Sequence, residues 1–187
     1  MTRRFDRDAN GRKLHMQSLA ALRHFDFNAA GAYAYEQAVE TIRQLQLPAF
    51  DVEQQFRRAV LNVLIRNQDD HVKNIAFLMN REGEWRLSPA FDVSYAYNPA
   101  GSWTQQHQMS LNGKRDHFEL DDLLQFGAFC GMKPAKARDI IEGIHEQVEN
   151  WMAHADRAGV PESLAARLHL AMRRDLVNRQ AGRVARR

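Results

Sequence analysis

Apolar residues recur at helical spacing along most of the chain, so the pattern predicts a mainly α protein with a small β-hairpin. A short helix is predicted over residues 18–23, then a loop over 24–34, where no period is visible. From Tyr35 the positions Val39, Ile42 and Leu45 repeat at helical spacing until Pro48. Asp51 is placed to cap the next helix, with Gln54 in the capping-box position and Phe56, Val60, Val63 and Leu64 as one apolar stripe. That helix delivers the chain to Asn67. The apolar run 75–79, the turn Asn80-Arg-Glu-Gly83 and Trp85-Arg-Leu-Ser88 together predict the hairpin. Residues 107–114 read as a strand followed by an Asn-Gly turn. Three helices complete the pattern. Asp121 or Asp122 opens the first, which buries Leu123, Leu124, Phe126 and Phe129. Pro134 opens the second, with Ile140, Ile141, Ile144, Val148, Trp151 and Met152 on its apolar face. Pro161 opens the third, with Leu164, Leu168, Met172 and Leu176 inward until Gly182, and the last two are expected to pair antiparallel.

A length of 187 residues suits one well-buried domain, and 44% hydrophobic with 26% charged residues excludes wholesale disorder. One domain is therefore expected over 1–187, with a functional block at 51–94 and supporting helices at 119–180. The single cysteine, Cys130, allows no intramolecular disulfide and lies in an apolar stretch, which predicts core packing and a reducing, cytoplasmic setting. No apolar run approaches the length of a membrane span. The net charge of +3 is mild, but arginines crowd both ends. Such ends either hold an acidic partner or nucleic acid, or form a solvated helix face and tail, and the second reading is preferred.

The residues that carry chemistry lie in NQDDHVKN at 67–74. Asp69 and Asn74 make D-x-x-x-x-N, the spacing that puts a base near an acceptor hydroxyl and an amide oxygen on magnesium. Asp92, returned to the loop by the hairpin, supplies the further ligand that a hard, oxygen-seeking ion requires. Asp70 lacks the spacing to Asn74 and is either a solvated or a loop-bracing neighbour. His71 is expected to brace the loop through backbone or carboxylate, and Lys73 either steadies a migrating phosphoryl group or is a surface lysine. Asp and Asn also favour turns for local reasons, so the spacing gains weight from its place between a buried helix and a hairpin. Beyond Asp92 the turn-rich stretch 95–101 is expected to be exposed, with Tyr95, Tyr97 and Trp103 either lining an acceptor site or covering the hairpin. His145-Glu-Gln-Val-Glu149 ends in Glu where a zinc-protease helix needs His, and is read as packing.

NQDDHVKN, LSPAFDVS and HQMSLNGK together resemble the C-terminal half of HipA-type Ser/Thr kinases, the toxins of bacterial toxin–antitoxin pairs. The resemblance runs from residue 3 to about 115, and more loosely to the Trp151 helix. It implies the C-terminal lobe of a kinase-like fold, ATP and magnesium as cofactors, Asp69 as catalytic base, and Asn74 and Asp92 as metal ligands. It also makes residues 1–16 hinge-like, with backbone near Phe5 against adenine and Asp6 near the ribose. By the same resemblance the chain starts at the hinge, and the amino-terminal lobe is expected from elsewhere. The ten glycines form no phosphate-binding loop, and no lysine precedes Lys13.

Two functions follow as expectations. One is a kinase C-lobe acting on a Ser/Thr protein substrate once an N-lobe-like subunit or segment completes the nucleotide site. The other is a non-catalytic remnant that binds an antitoxin-like DNA-binding partner, and nucleic acid only indirectly. Neither involves a membrane.

Overall fold

The computed structural model describes residues 4–178. Its core is organised on α3 (Ala49–Ile65), whose Phe56, Ala59, Val60, Val63 and Leu64 are fully buried. Packed around it are α2 (Tyr35–Gln44), α4 (Leu120–Phe129) and α5 (Pro134–Glu149). The apolar stripe read from the sequence thus faces inward. The cap differs from the expected one. α3 starts two residues before Asp51, with Pro48 as N-cap, so Asp51 lies inside the first turn and no Asp51/Gln54 capping box forms. Asp51 is instead buried, its Oδ2 accepting a long hydrogen bond (3.4 Å) from the Leu87 N–H. α3 ends where Arg66 takes a left-handed conformation (φ 56°), and the amides of Arg66 and Asn67 both return to the Asn62 carbonyl.

The hairpin is present as β3 (Ala76–Met79) and β4 (Trp85–Leu87), closed by an Asn80 N–H to Glu84 O bond. A third strand joins it. β1 (His15–Ser18) pairs antiparallel with β3, so part of the segment expected to be a hinge is sheet. Ser18 then caps the short α1 (Leu19–Arg23) through its hydroxyl. A second pairing, between β2 (Tyr33–Ala34) and β5 (Met109–Ser110), is parallel. β2 falls in the stretch read as loop, where two residues are too few to show alternation. The Asn-Gly turn forms as read: Asn112 and Gly113 both have positive φ, and Leu111 and Lys114 exchange hydrogen bonds across it.

The carboxyl-terminal helices are shorter than their apolar periods suggest. Glu119 caps α4, and Asp122 reaches back to the Glu119 N–H (2.7 Å) while also holding Lys114. Leu123 and Phe126 are buried, but Phe129 is exposed beneath the Arg43 guanidinium. The second predicted helix breaks at Asn150 into α5 and α6 (Trp151–Arg157). The third breaks at Met172 into α7 (Glu162–Ala171) and α8 (Asp175–Asn178). α7 packs on α6, where the Trp151 indole donates to Ala165 O, and α8 packs on α5. Gly182 and most of the arginine-rich tail lie outside the described residues. Arg173 is no solvated arginine: its amide donates to Leu64 O and its guanidinium to Val63 O. Cys130 is buried, and burial pushes its thiol up to about 12, which leaves it inert at neutral pH.

Candidate functional site

The loop at 67–74 leaves α3 and is held by its buried side chains. Asn67 and Gln68 are almost inaccessible, and the Asn67 amide donates to Asn62 Oδ1 (3.0 Å) and to the Asp92 carbonyl (3.4 Å). Asp70 is buried too. Its carboxylate accepts from the Tyr35 hydroxyl (2.6 Å), His107 Nδ1 (2.7 Å) and the Gln108 N–H (2.8 Å). Of the two readings of Asp70, bracing holds and solvation fails. Burial pushes its carboxyl up, but His107, Tyr35 and the Gln108 amide together pull it below its ordinary value. Arg173 Nη1 lies 3.0 Å from His107 Nε2. Because a guanidinium can only donate, Nε2 is the acceptor and Nδ1–H the donor to Asp70, which fixes the tautomer.

Asn74 and Asp92 line one small cavity of about 20 Å³ between the loop and the segment after the hairpin. Asn74 Nδ2 donates to Asp69 O (2.9 Å), which leaves Oδ1 as its free acceptor. The Asp92 carboxylate accepts no hydrogen bond among the described residues, and its backbone sits at φ 54°, a conformation that costs a non-glycine residue free energy. Gln55, the Asn67 Oδ1 and the His71 Nδ1, all buried without a protein partner, border the same cavity. The Asp69 carboxylate does not line it. It is half exposed, 4.0 Å from Nε2 of His71, which does line it. Among the described residues the His71 ring makes no hydrogen bond to backbone or carboxylate, and the loop is braced by Asp70 instead.

The other candidates separate from this cluster. The Phe5 ring packs 5.6 Å from that of Phe91, beside Asp92. Asp6 is engaged by Arg4 (2.6 Å) and Arg7 (2.7 Å), and chiefly its bond to Arg4 lowers its carboxyl to about 2. Lys73 Nζ lies 3.4 Å from the centroid of the Phe27 ring. Lys114, just past the Asn-Gly turn, is half-buried and paired with Asp122 (2.8 Å). Tyr35, His107 and Arg173 are the residues that sequence reasoning missed. Tyr35 opens α2 while His107 and Arg173 lie between elements, and only contact across 35 or more residues reveals the polar role of each.

Chemically the cavity offers one amide oxygen and one carboxylate. Among the described residues no three His, Cys, Asp or Glu side chains group as a metal site. The pair therefore fits an ion that keeps waters and takes other oxygens from its ligand, as magnesium does.

The model of the HipA-like C-terminal domain matches residues 1–152. The chain belongs to the HipA-like C-terminal domain family. No curated protein matches its sequence. Among solved structures, it matches HipA from the Shewanella oneidensis MR-1 toxin–antitoxin complex of HipA, HipB and operator DNA. The TM-score is 0.74 at 18% identity, over 89% of this chain and 45% of that one. At this identity the likeness is one of fold, and the chain spans less than half of that HipA. The helix-rich HipA-like domain seen here extends past the family match into α6, α7 and α8. Among its described residues no helix is long and apolar enough to cross a membrane.

Proposed function

We propose that this HipA-like domain is the metal- and acceptor-binding half of a Ser/Thr kinase. The observation that carries this is the meeting of Asn74 and Asp92 in one cavity, with the Asn74 amide tied to the backbone of Asp69. In this reading Asn74 Oδ1 and the Asp92 carboxylate hold magnesium, which neutralises charge on the phosphates of ATP when bound. Asp69 accepts the proton of a Ser or Thr hydroxyl as the oxygen attacks the γ-phosphorus. The bond to the bridging oxygen breaks, and ADP leaves with the electron pair. The exposure of Asp69 suits a group that must meet a protein substrate. Asp70, through Tyr35 and His107, keeps the loop from rotating. Phe91, which carries the Phe5 ring, lines the same cavity, and in this reading Phe5, Asp6 and Lys73 would face the nucleotide.

Residues 1–187 contain no glycine-rich phosphate loop, so that element is supplied by another segment, in the same polypeptide or a second one. An antitoxin partner that works on operator DNA is carried over from the complex of HipA, HipB and operator DNA, and the cytoplasmic setting from the lone cysteine. The test is radiolabelled phosphate transfer by residues 1–187, with and without a HipA amino-terminal half added. Positioning and charge stabilisation provide most of the rate, so residues 1–187 alone are expected to turn over negligibly. Activity should appear on complementation and fall by about 10²-fold or more in Asp69→Asn. Turnover that survives Asp69→Asn would remove the proposed base.

A further inference from the structure

Beside Arg66, where α3 ends, lies another cavity, of about 410 Å³, sharing no residue with the one that holds Asn74 and Asp92. Two guanidiniums reach it, from Arg66 and Arg173. Arg173 is committed: it holds Asp116 (2.6 Å), Val63 O and His107. Arg66 is not. Its guanidinium carbon stands 4.2 Å over the Tyr97 ring, its Nε is buried without a hydrogen-bond partner, and among the described residues it has no ion pair. A cation half-withdrawn from water and bonded to no carboxylate among the described residues is open to an anionic ligand. Burial lowers the Arg173 pKa and the neighbouring Arg66 lowers it further, against the pull of Asp116, so the two positive charges sense each other. Phe118 and Leu176 give the cavity an apolar wall, and its volume exceeds that of a bare inorganic anion.

We propose that this cavity is a binding site for a phosphate monoester, its anionic end on Arg66 and its organic group against Phe118 and Leu176. The stacking of Arg66 on Tyr97 holds the fork in place before the ligand arrives, which lowers the ordering cost of binding. Asp116 and Asp175 also face the cavity. They offset the two arginines, so selectivity comes from the fixed guanidinium and not from net charge. Arg66, Tyr97 and Phe118 lie within the family match, and Arg173, Asp175 and Leu176 beyond it, so the site joins the two parts of the chain. It does not depend on phosphoryl transfer at the loop.

The experiment is calorimetric titration of residues 1–187 with phenyl phosphate, with benzoate and phenol as comparators. Saturable binding of phenyl phosphate at millimolar concentrations is expected, with benzoate weaker and phenol silent. Arg66→Asn, which tolerates the left-handed backbone at that position, should weaken binding by about tenfold or more through loss of the charged hydrogen bonds. Tyr97→Ala removes the platform without touching the helix end and should also weaken it. No saturable binding, equal affinity for benzoate, or unchanged affinity in either folded variant would overturn the site.

Discussion

Asp70 shows how one buried side chain can set a loop that does its chemistry elsewhere. It accepts three hydrogen bonds, from Tyr35, His107 and Gln108, and is inaccessible to water. An amide in its place offers one oxygen to three donors and turns its own N–H toward them. Asp70→Asn is therefore expected to cost roughly 1.5–3 kcal/mol in urea unfolding, since it leaves neutral buried donors under-satisfied. The sign of the pH dependence follows from the lowered folded pKa. The unfolded carboxyl titrates near pH ~3.9, so this contribution is complete above that and is lost as pH falls through the folded value. Wild-type stability should therefore drop on the acid side of about pH 4, and the drop should be shallower in the variant. At Asp92 charge and backbone separate cleanly. Asp92→Asn keeps a residue that tolerates φ 54° and should leave stability within about 0.5 kcal/mol, while Asp92→Ala should cost about 1 kcal/mol. If both hold magnesium equally well by calorimetry with wild type, Asp92 is not a ligand.

At the scale of elements, what was legible had a local cause. The apolar stripe of α3, the hairpin and the Asn-Gly turn are each written within a few residues, as periodicity or as turn chemistry. β1 and the parallel pair β2–β5 are not, because a four-residue or two-residue strand acquires its identity from a partner tens of residues away. The same holds for Asp51. Its residue type reads as a helix cap, but its place within the first turn of α3 gives it to the sheet: it meets the Leu87 N–H, and Arg58, further along the helix, donates to Ser88 O (2.5 Å). Burial pulls the Arg58 pKa down, with Asp51 opposing. These two contacts join the helix before the loop to the strand that leads to Asp92. Asp51→Ala should thus destabilise by about 1–3 kcal/mol, more than loss of an exposed cap. Hydrogen exchange at Leu87 should rise with it. Protection unchanged there would mean that the sheet docks on α3 without Asp51.

Across the whole molecule, the region that identifies the family leans on residues outside it. The match ends at residue 152, yet Arg173 bonds to Leu64 O, Val63 O, Asp116 and, through His107, to Asp70 beside the proposed base. Nothing in the sequence marked this. Arg173 stands among arginines that composition assigns to a solvated face, and its true neighbours are 57 to 110 positions away. Removing residues 153–187 would leave the carbonyls at the end of α3, the buried face of His107 and one oxygen of Asp116 without their donor. It would also expose the wall that Met172 and Leu176 cover, and free the indole that Trp151 anchors on Ala165. Loss of a largely buried guanidinium from its partners alone costs roughly 3 kcal/mol or more, a large share of a typical domain's 5–15 kcal/mol. A fragment of residues 1–152 is therefore expected to unfold at markedly lower urea than 1–187, or not to fold. Arg173→Met within the full chain should reproduce about 3 kcal/mol of that loss while keeping the helices. A fragment as stable as the full chain would show that the carboxyl-terminal helices only decorate the core, and that Arg173 does not hold the loop.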